Sequence, residues 1–123
     1  MNEDEKKEVL VIDDEKLAEL IANMLETEGL KSRTVNNGKD AIAIFREEKE
    51  KVALIIMDMD KYKTSEEDIF LSFQKINPNV KVMLISASCK SKEVNLLLDK
   101  GCIGFIGKPF GLEDLLGEIR KVL

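Results

Sequence analysis

The chain has 123 residues, which suits one globular domain, and a formal net charge of −5. It contains no histidine, which excludes Ser-His-Asp and Cys-His nucleophiles and histidine metal sites. The acidic balance argues against direct nucleic-acid binding, and no apolar run approaches membrane-spanning length. Neither the charged start at 1–8 nor the spacing of Cys89 and Cys102 indicates secretion or a cysteine metal site. We therefore expect a cytoplasmic protein without membrane insertion.

The first third of the sequence alternates between strand and helix patterns. A continuous apolar run at 9–12 predicts a strand buried on both faces. A helix pattern follows, because apolar residues recur at the spacing of one helix face. These residues are Leu17, Leu20, Ile21, Met24 and Leu25. Gly29 suits a left-handed helix end, and the less apolar segment 31–35 predicts an edge strand.

The middle of the chain repeats this alternation. We predict a helix at 38–49, with Ala41, Ile42 and Phe45 facing inward, and then a strongly apolar strand at 52–57. A further helix pattern includes Ile69, Phe70, Phe73 and Ile76. It stops at Asn77-Pro78, because proline cannot continue a helix.

The last third completes the pattern. A strand at 80–85 runs into Ser86, and a short helix is expected at 91–100. A final strand at 103–106 precedes Lys108-Pro109. The closing amphipathic helix is marked by Leu112, Leu115, Leu116 and Ile119.

Five strands alternating with five helices predict an α/β fold, a doubly wound five-stranded parallel sheet with helices on both faces. The polar strand 31–35 fits an edge, which favours the flavodoxin-like order 2-1-3-4-5. Connections are short throughout, so we expect one domain over 1–123. The charged residues 1–7 are expected to form a flexible lead-in.

Polar side chains follow four of the predicted strands where each strand ends. Asp13 and Asp14 end the first, Asp58 the third and Ser86 the fourth, while Lys108 follows the fifth. Parallel strands end at one edge, where ligands bind, so these groups should meet there. Crowded carboxylates favour a cation, and Mg²⁺ takes carboxylate oxygens. Each residue alone fits a turn or a helix cap, but their shared edge favours a functional site.

Five segments together resemble the receiver domain of two-component response regulators over nearly the whole chain. They read VLVIDDE at 9–15, NNGKDAI at 36–42, LIIMD at 54–58, LISAS at 84–88 and GCIGFIGKPF at 101–110. Each motif alone is modest, whereas their order and spacing are specific. The resemblance implies a phosphoryl-accepting signalling domain rather than an enzyme of multiple turnover.

The resemblance also implies a role for each site residue. Asp58 would accept the phosphoryl group as an acyl phosphate. Asp13, Asp58, the nearby Asp14 and the backbone carbonyl of Asp60 would hold Mg²⁺. Lys108 would pair with the phosphoryl oxygens.

Further residues would carry the switch, as the resemblance implies. Ser86 would hydrogen-bond the phosphoryl group, Ala87 would leave room for it, and Phe105 would turn inward on activation. The Lys108-Pro109 bond would be cis. The expected partners are a sensor histidine kinase or histidine phosphotransfer protein and a downstream target protein.

One segment departs from the family pattern and leaves alternatives open. The loop 59–66 lacks the usual Met-Pro and Gly, which would suit a degenerate receiver that binds partners without phosphorylation. Asp58-Met59-Asp60 also resembles the opening of haloacid-dehalogenase-type phosphatases, although Tyr62 replaces their threonine. A flavodoxin is a weaker alternative, because two aspartates occupy the turn where a flavin phosphate would bind.

Overall fold

The computed structural model describes residues 8–13, 15–59, 66–87 and 92–123. Within these ranges strands and helices alternate in the predicted order. The strands are β1 (Glu8–Ile12), β2 (Lys31–Val35), β3 (Val52–Asp58), β4 (Val82–Ser86) and β5 (Gly104–Gly107). The helices are α1 (Glu15–Glu26), α2 (Gly38–Glu48), α3 (Glu66–Ile76), α4 (Lys92–Lys100) and α5 (Leu112–Val122). The lead-in predicted at 1–7 lies outside the described residues.

The five strands form one parallel sheet in the order β2-β1-β3-β4-β5, which confirms the predicted fold. The polar strand β2 lies at an edge, as predicted. The strands β1, β3 and β4 lie inside the sheet, and their residues are almost all buried because helices cover both faces. All strands therefore end at the same edge of the sheet.

Side chains that alternate along each strand feed two separate apolar layers. On one face, β-strand residues such as Leu10, Met57 and Leu84 pack with α2, α3 and α4. On the other, residues such as Val11, Ile56 and Ile85 pack with α1 and α5. Asp58 and Ser86 close two central strands between these layers, so dense packing holds the backbone of both residues.

Local signals fix the ends of two helices. The side chain of Asn37 caps α2, because its Oδ1 accepts a hydrogen bond of 2.7 Å from the backbone N–H of Asp40. After α1 the chain turns at Gly29, whose φ of +75° is the predicted left-handed conformation. These signals place the short connections that lead the chain into β2 and out of it.

Some boundaries and burial predictions were wrong. Leu20 is 48% exposed although it follows the apolar spacing of α1, and the small Ala18 is buried in its place. The strand β4 begins at Val82, because the backbone N–H of Val80 closes a turn onto Asn77 instead. Cys102 is buried, and burial raises the pKa of its thiol to about 12. Cys89 lies outside the described residues.

The edge strand β2 carries a charged cluster. The guanidinium of Arg33 donates to the carboxylate of Glu48 on α2 and lies 3.4 Å from Oε1 of Glu8 on β1. The hydrogen bond lowers the pKa of the Glu48 carboxyl and raises the pKa of Arg33. On this side of the sheet, ion pairs therefore add to the apolar contacts that Val35 makes with the core. No helix in the described ranges is both long and apolar enough to span a membrane.

Candidate functional site

Three polar side chains are buried at the carboxyl edge of the sheet. Asp13, Asp58 and Ser86 are only 1–2% exposed, and they are the buried polar residues of the described chain. Each stands at or just past the end of a strand, as the sequence predicted. Burying a carboxylate is costly unless charges or hydrogen bonds compensate it. Two buried carboxylates at one edge therefore mark a site built for something other than packing.

The strand register explains why the two carboxylates are neighbours. Ile12 pairs with Met57 across β1 and β3, and Asp13 and Asp58 are the next residues along each strand. The ladder also continues beyond the strands, because the backbone N–H of Asp13 donates to the carbonyl of Val35 at 3.0 Å. The two aspartates are thus held by the sheet itself and not by a free loop.

Lys108 reaches this edge from the chain after β5. Its backbone N–H donates to the carbonyl of Ser86 at 2.9 Å, and its Nζ donates to Oδ2 of Asp58 at 2.8 Å. The Lys108-Pro109 peptide bond is cis, as predicted. The Lys108 side chain is 25% exposed and that of Asp58 is 3% exposed. A half-buried cation therefore faces a buried carboxylate whose neighbour is a second carboxylate.

The donor set suits a hard cation. Oδ2 of Asp13 is buried and accepts no hydrogen bond from the described residues, although Asp13 does have other interactions. Carboxylate oxygens are the donors that Mg²⁺ prefers. The described residues alone do not provide three metal-binding side chains in one cluster. Asp14 and Asp60, which were also predicted as ligands, lie outside the described residues.

Phe105 lies on β5, two residues before the register partner of Ser86. It pairs with Leu84, two residues before Ser86, and it is partly buried against the layer formed by α2, α3 and α4. A Cβ added at Gly107 would lie 3.7 Å from Cε2 of Phe105, so the ring lies beside Gly107. Gly107 is in turn the register partner of Ser86. Ser86 and Phe105 are therefore near neighbours on one face of the sheet.

Sequence reasoning missed some residues around this site. Met59 is buried, and its backbone N–H donates to the carbonyl of Ile85 at 2.7 Å, which extends β3 past Asp58. A polar cavity of about 380 Å³ on the β2 side of Asp13 is lined by Thr34, Asn36 and Asp40 among others. The helix-cap pattern of Asn37 could have indicated Asp40. Ala87, expected to leave room at the site, is exposed.

Comparison with known proteins decides the family. The model of the response regulator receiver domain matches residues 9–120. The chain belongs to this family. Its membership places the receiver domain in two-component signalling, rather than among haloacid-dehalogenase-type phosphatases or flavodoxins.

Curated relatives and solved structures agree with this assignment. The receiver domain is 31% identical over 117 residues to a transcriptional regulatory protein, the CpxR homolog of Haemophilus influenzae. That match covers 95% of this chain and 50% of the relative, so the chain spans about half the length of the relative. A receiver domain structure from Clostridium thermocellum is 28% identical, with a TM-score of 0.86, and the match covers 94% of this chain and 92% of that one.

A further solved structure contains Mg²⁺ and BeF. The response regulator TrrA of Thermotoga maritima, solved in complex with Mg²⁺ and BeF, is 25% identical to this receiver domain. The TM-score is 0.81, and the match covers 95% of this chain and 99% of that one.

Proposed function

We propose that this receiver domain, taken as a single unit over 1–123, accepts a phosphoryl group on Asp58. The donor is a histidine kinase or a histidine phosphotransfer protein, and the product binds a downstream target protein. The observation that carries the proposal is the 2.8 Å contact between Nζ of Lys108 and Oδ2 of Asp58, beside the buried Asp13. A carboxylate held by a sheet next to a fixed cation is a preorganised acceptor for an anionic group.

The chemistry needs only a nucleophile and compensating charge. A carboxylate oxygen of Asp58 attacks the phosphorus of a phosphohistidine. The bond between phosphorus and the imidazole nitrogen breaks, and its electron pair stays on that nitrogen. Asp58 becomes an acyl phosphate, and Lys108 moves its hydrogen bond from the carboxylate to a phosphoryl oxygen. Ser86, at the end of the neighbouring strand, donates a hydrogen bond to another phosphoryl oxygen.

The carboxylates of Asp13 and Asp58 would hold Mg²⁺, together with Asp14 and the backbone carbonyl of Asp60. When bound, the ion supplies positive charge against the phosphoryl oxygens. The buried Oδ2 of Asp13 and the Mg²⁺-BeF complex of the Thermotoga maritima relative support this assignment. Asp13 would offer its carboxylate from a fixed backbone, because that backbone is held in the sheet ladder.

Phosphorylation would be read out through Ser86 and Phe105. If Ser86 turns towards the phosphoryl group, space opens beside Gly107, and the Phe105 ring can move into it. The register Ser86–Gly107 and Leu84–Phe105 supports this coupling. The change is a shift between two packings, set by how strongly each contacts the phosphoryl group. The surface around 90–110 would then bind the target protein.

We also propose that the side chain of Asp60 hastens loss of the phosphoryl group. Asp60 follows the acceptor by two positions, where a carboxylate can orient a water in line with phosphorus. Replacing Asp60 with alanine should lengthen the lifetime of the phosphorylated form, measured as phosphate released after removal of the donor. An unchanged or shorter lifetime contradicts this role. The domain remains a phosphoryl acceptor and not an enzyme of multiple turnover.

Intact mass after incubation with acetyl phosphate and Mg²⁺ tests the main proposal. Wild type should gain one phosphoryl group, and Asp58→Asn should gain none. Asp99→Asn, which removes an exposed carboxylate on α4, is the matched control and should be modified like wild type. An adduct that persists in Asp58→Asn overturns the acceptor assignment. A folded wild type that never gains phosphate would favour a receiver that acts by protein binding alone.

A further inference from the structure

A cavity of about 620 Å³ lies at the amino edge of the sheet, opposite the buried carboxylates. It is lined by residues at the starts of β2, β3 and β4, including Lys31, Val52 and Lys81. Its volume falls within the range of roughly 300–1,000 Å³ that is typical of small-molecule sites. Nothing in the proposed phosphoryl chemistry uses this end of the domain.

The floor of the cavity is apolar. Phe45 and Val52 are buried below it, and Val80 is partly buried beside it. Such a floor offers an apolar ligand an area from which water is readily released. The ring of Phe45 is itself held edge-on to Phe73, at a centroid distance of 5.6 Å. This wall of the cavity therefore belongs to the packed core of the domain.

A local irregularity in β3 lies at the cavity, at Ala53. Glu8 pairs with Val52 while Val9 pairs with Leu54, so Ala53 has no register partner on β1. Two residues of β3 thus oppose one step of β1, as in a β-bulge, a device that often redirects side chains near binding sites. The redirected residue is alanine, and it is partly exposed in a strand that is otherwise buried. A larger side chain there would occupy the cavity.

The charged side chains at the mouth of the cavity are lysines, and Leu123, the last residue of the sequence, lines the mouth as well. Among the described residues that line it, Lys31 and Lys81 are charged and no aspartate or glutamate occurs. Nζ of Lys81 is held in place by a hydrogen bond of 2.6 Å to the carbonyl of Val122. Lys31 is exposed and forms no ion pair within the described part of the chain. In a chain with a net charge of −5, such a mouth selects for an anion.

We propose that this cavity binds a small amphipathic anion, with an apolar ring system over Ala53 and Val80 and one acidic group at the mouth that carries Lys31 and Lys81. The site is independent of phosphorylation, because it lies at the other end of the strands. Binding therefore requires neither Asp58 nor Mg²⁺.

The fluorescent probe 8-anilinonaphthalene-1-sulfonate tests the proposal on the intact, folded chain, since it combines an aromatic body with one sulfonate. Titration should reveal one saturable site. Ala53→Leu should abolish it, and the smaller Ala53→Val should weaken it to a lesser degree. Lys31→Gln with Lys81→Gln should weaken binding about fivefold. The uncharged probe N-phenyl-1-naphthylamine should bind more weakly than the sulfonate.

The matched control replaces Lys16 and Lys92, two exposed lysines at the opposite end of the domain, with glutamine. This double replacement changes the net charge by the same amount as the one at Lys31 and Lys81, and it should leave the affinity for the probe unchanged. The proposal is overturned if wild type shows no saturable binding, or if the two lysine pairs have equal effects. If Ala53→Leu does not fold, the amide chemical shifts of the wild-type protein, measured with and without the probe, test the proposal instead. Probe-induced shifts at Gly29, Ala53 and Asn79 support the site, and shifts confined elsewhere overturn it.

Discussion

Lys108 and Asp58 are 50 positions apart in the chain, yet Nζ of one donates to Oδ2 of the other at 2.8 Å. The pair compensates a carboxylate that is almost fully buried, beside a second one at Asp13. Breaking such a pair from one side leaves a buried charge uncompensated, which costs more than the pair itself contributes. A change at either residue should therefore affect both the chemistry of the site and the stability of the fold.

Lys108→Met should lower the free energy of unfolding by about 2 kcal/mol in EDTA, because Asp58 loses its counter-charge. Adding Mg²⁺ should restore part of that loss, since a cation at the carboxylates replaces the missing charge. Urea unfolding with and without Mg²⁺ measures both effects. Asp58→Asn introduced into the Lys108→Met variant should recover stability. A double variant less stable than Lys108→Met would show that the pair is not coupled.

Asp13→Asn should weaken Mg²⁺ binding at least about tenfold, because it removes a buried carboxylate from the donor set. Calorimetric titration with MgCl₂ measures the affinity directly, without any phosphoryl donor. Asp99→Asn again serves as the control, because it also removes one negative charge, but from an exposed helix face. Equal affinities in all three proteins would mean that Asp13 serves only to cap α1.

Beryllofluoride with Mg²⁺ should change hydrogen exchange beyond the acceptor strand. The expected changes include β5 around Phe105 and the backbone that follows Ser86, because the two side chains are neighbours on one face. Asp58→Asn should show none of these changes under the same conditions. If altered protection stays confined to the 58–66 loop, the signal does not leave through the 90–110 surface.

Gly38→Ala should destabilise the domain by about 1–3 kcal/mol through overpacking. A Cβ at Gly38 would meet Cδ1 of Ile69 at 2.5 Å, where α2 approaches α3. Gly117→Ala in α5 is the matched control. An added Cβ there meets nothing within 4 Å, so helix propensity should raise stability by about 0.5–1 kcal/mol. The steric argument fails if thermal melts shift the same way in both variants, or if shortening Ile69 to alanine gives no relief to Gly38→Ala.

Sequence patterns predicted the fold well, because the pattern of each strand depends mainly on whether the strand is covered by helices or lies at an edge. Apolar runs such as 52–57 fit only a strand covered on both faces, and the polar segment 31–35 fits only an edge. The sequence predicted less accurately which helix residues are buried. Leu20 has the spacing of a buried residue, but α1 buries the small Ala18 where it lies close to the sheet. Spacing gives the side of a helix, whereas the distance between helix and sheet decides which residue is covered.

The functional site was likewise predicted only in part from the sequence. Strand ends predicted that Asp13, Asp58 and Ser86 would share one edge, because that follows from parallel topology alone. Strand ends also predicted Lys108 at this edge, and the family resemblance implied that it pairs with the phosphoryl oxygens. Its direct contact with Asp58 depends on local hydrogen bonds after β5, which no sequence pattern shows. The bulge at Ala53 had no sequence signal, because register is a property of two strands and not of one.

The charged cluster on β2 has a consequence for behaviour at high concentration. An edge strand presents unpaired backbone groups that can template pairing with another copy of the chain. Lys31 and Arg33 stand on that edge, and the guanidinium of Arg33 is already engaged by Glu8 and Glu48. A second copy adding a strand at β2 would have to bring its own lysine and arginine near these charges. Neutral replacements at Lys31 and Arg33 would therefore remove this protection and favour ordered aggregation from this edge.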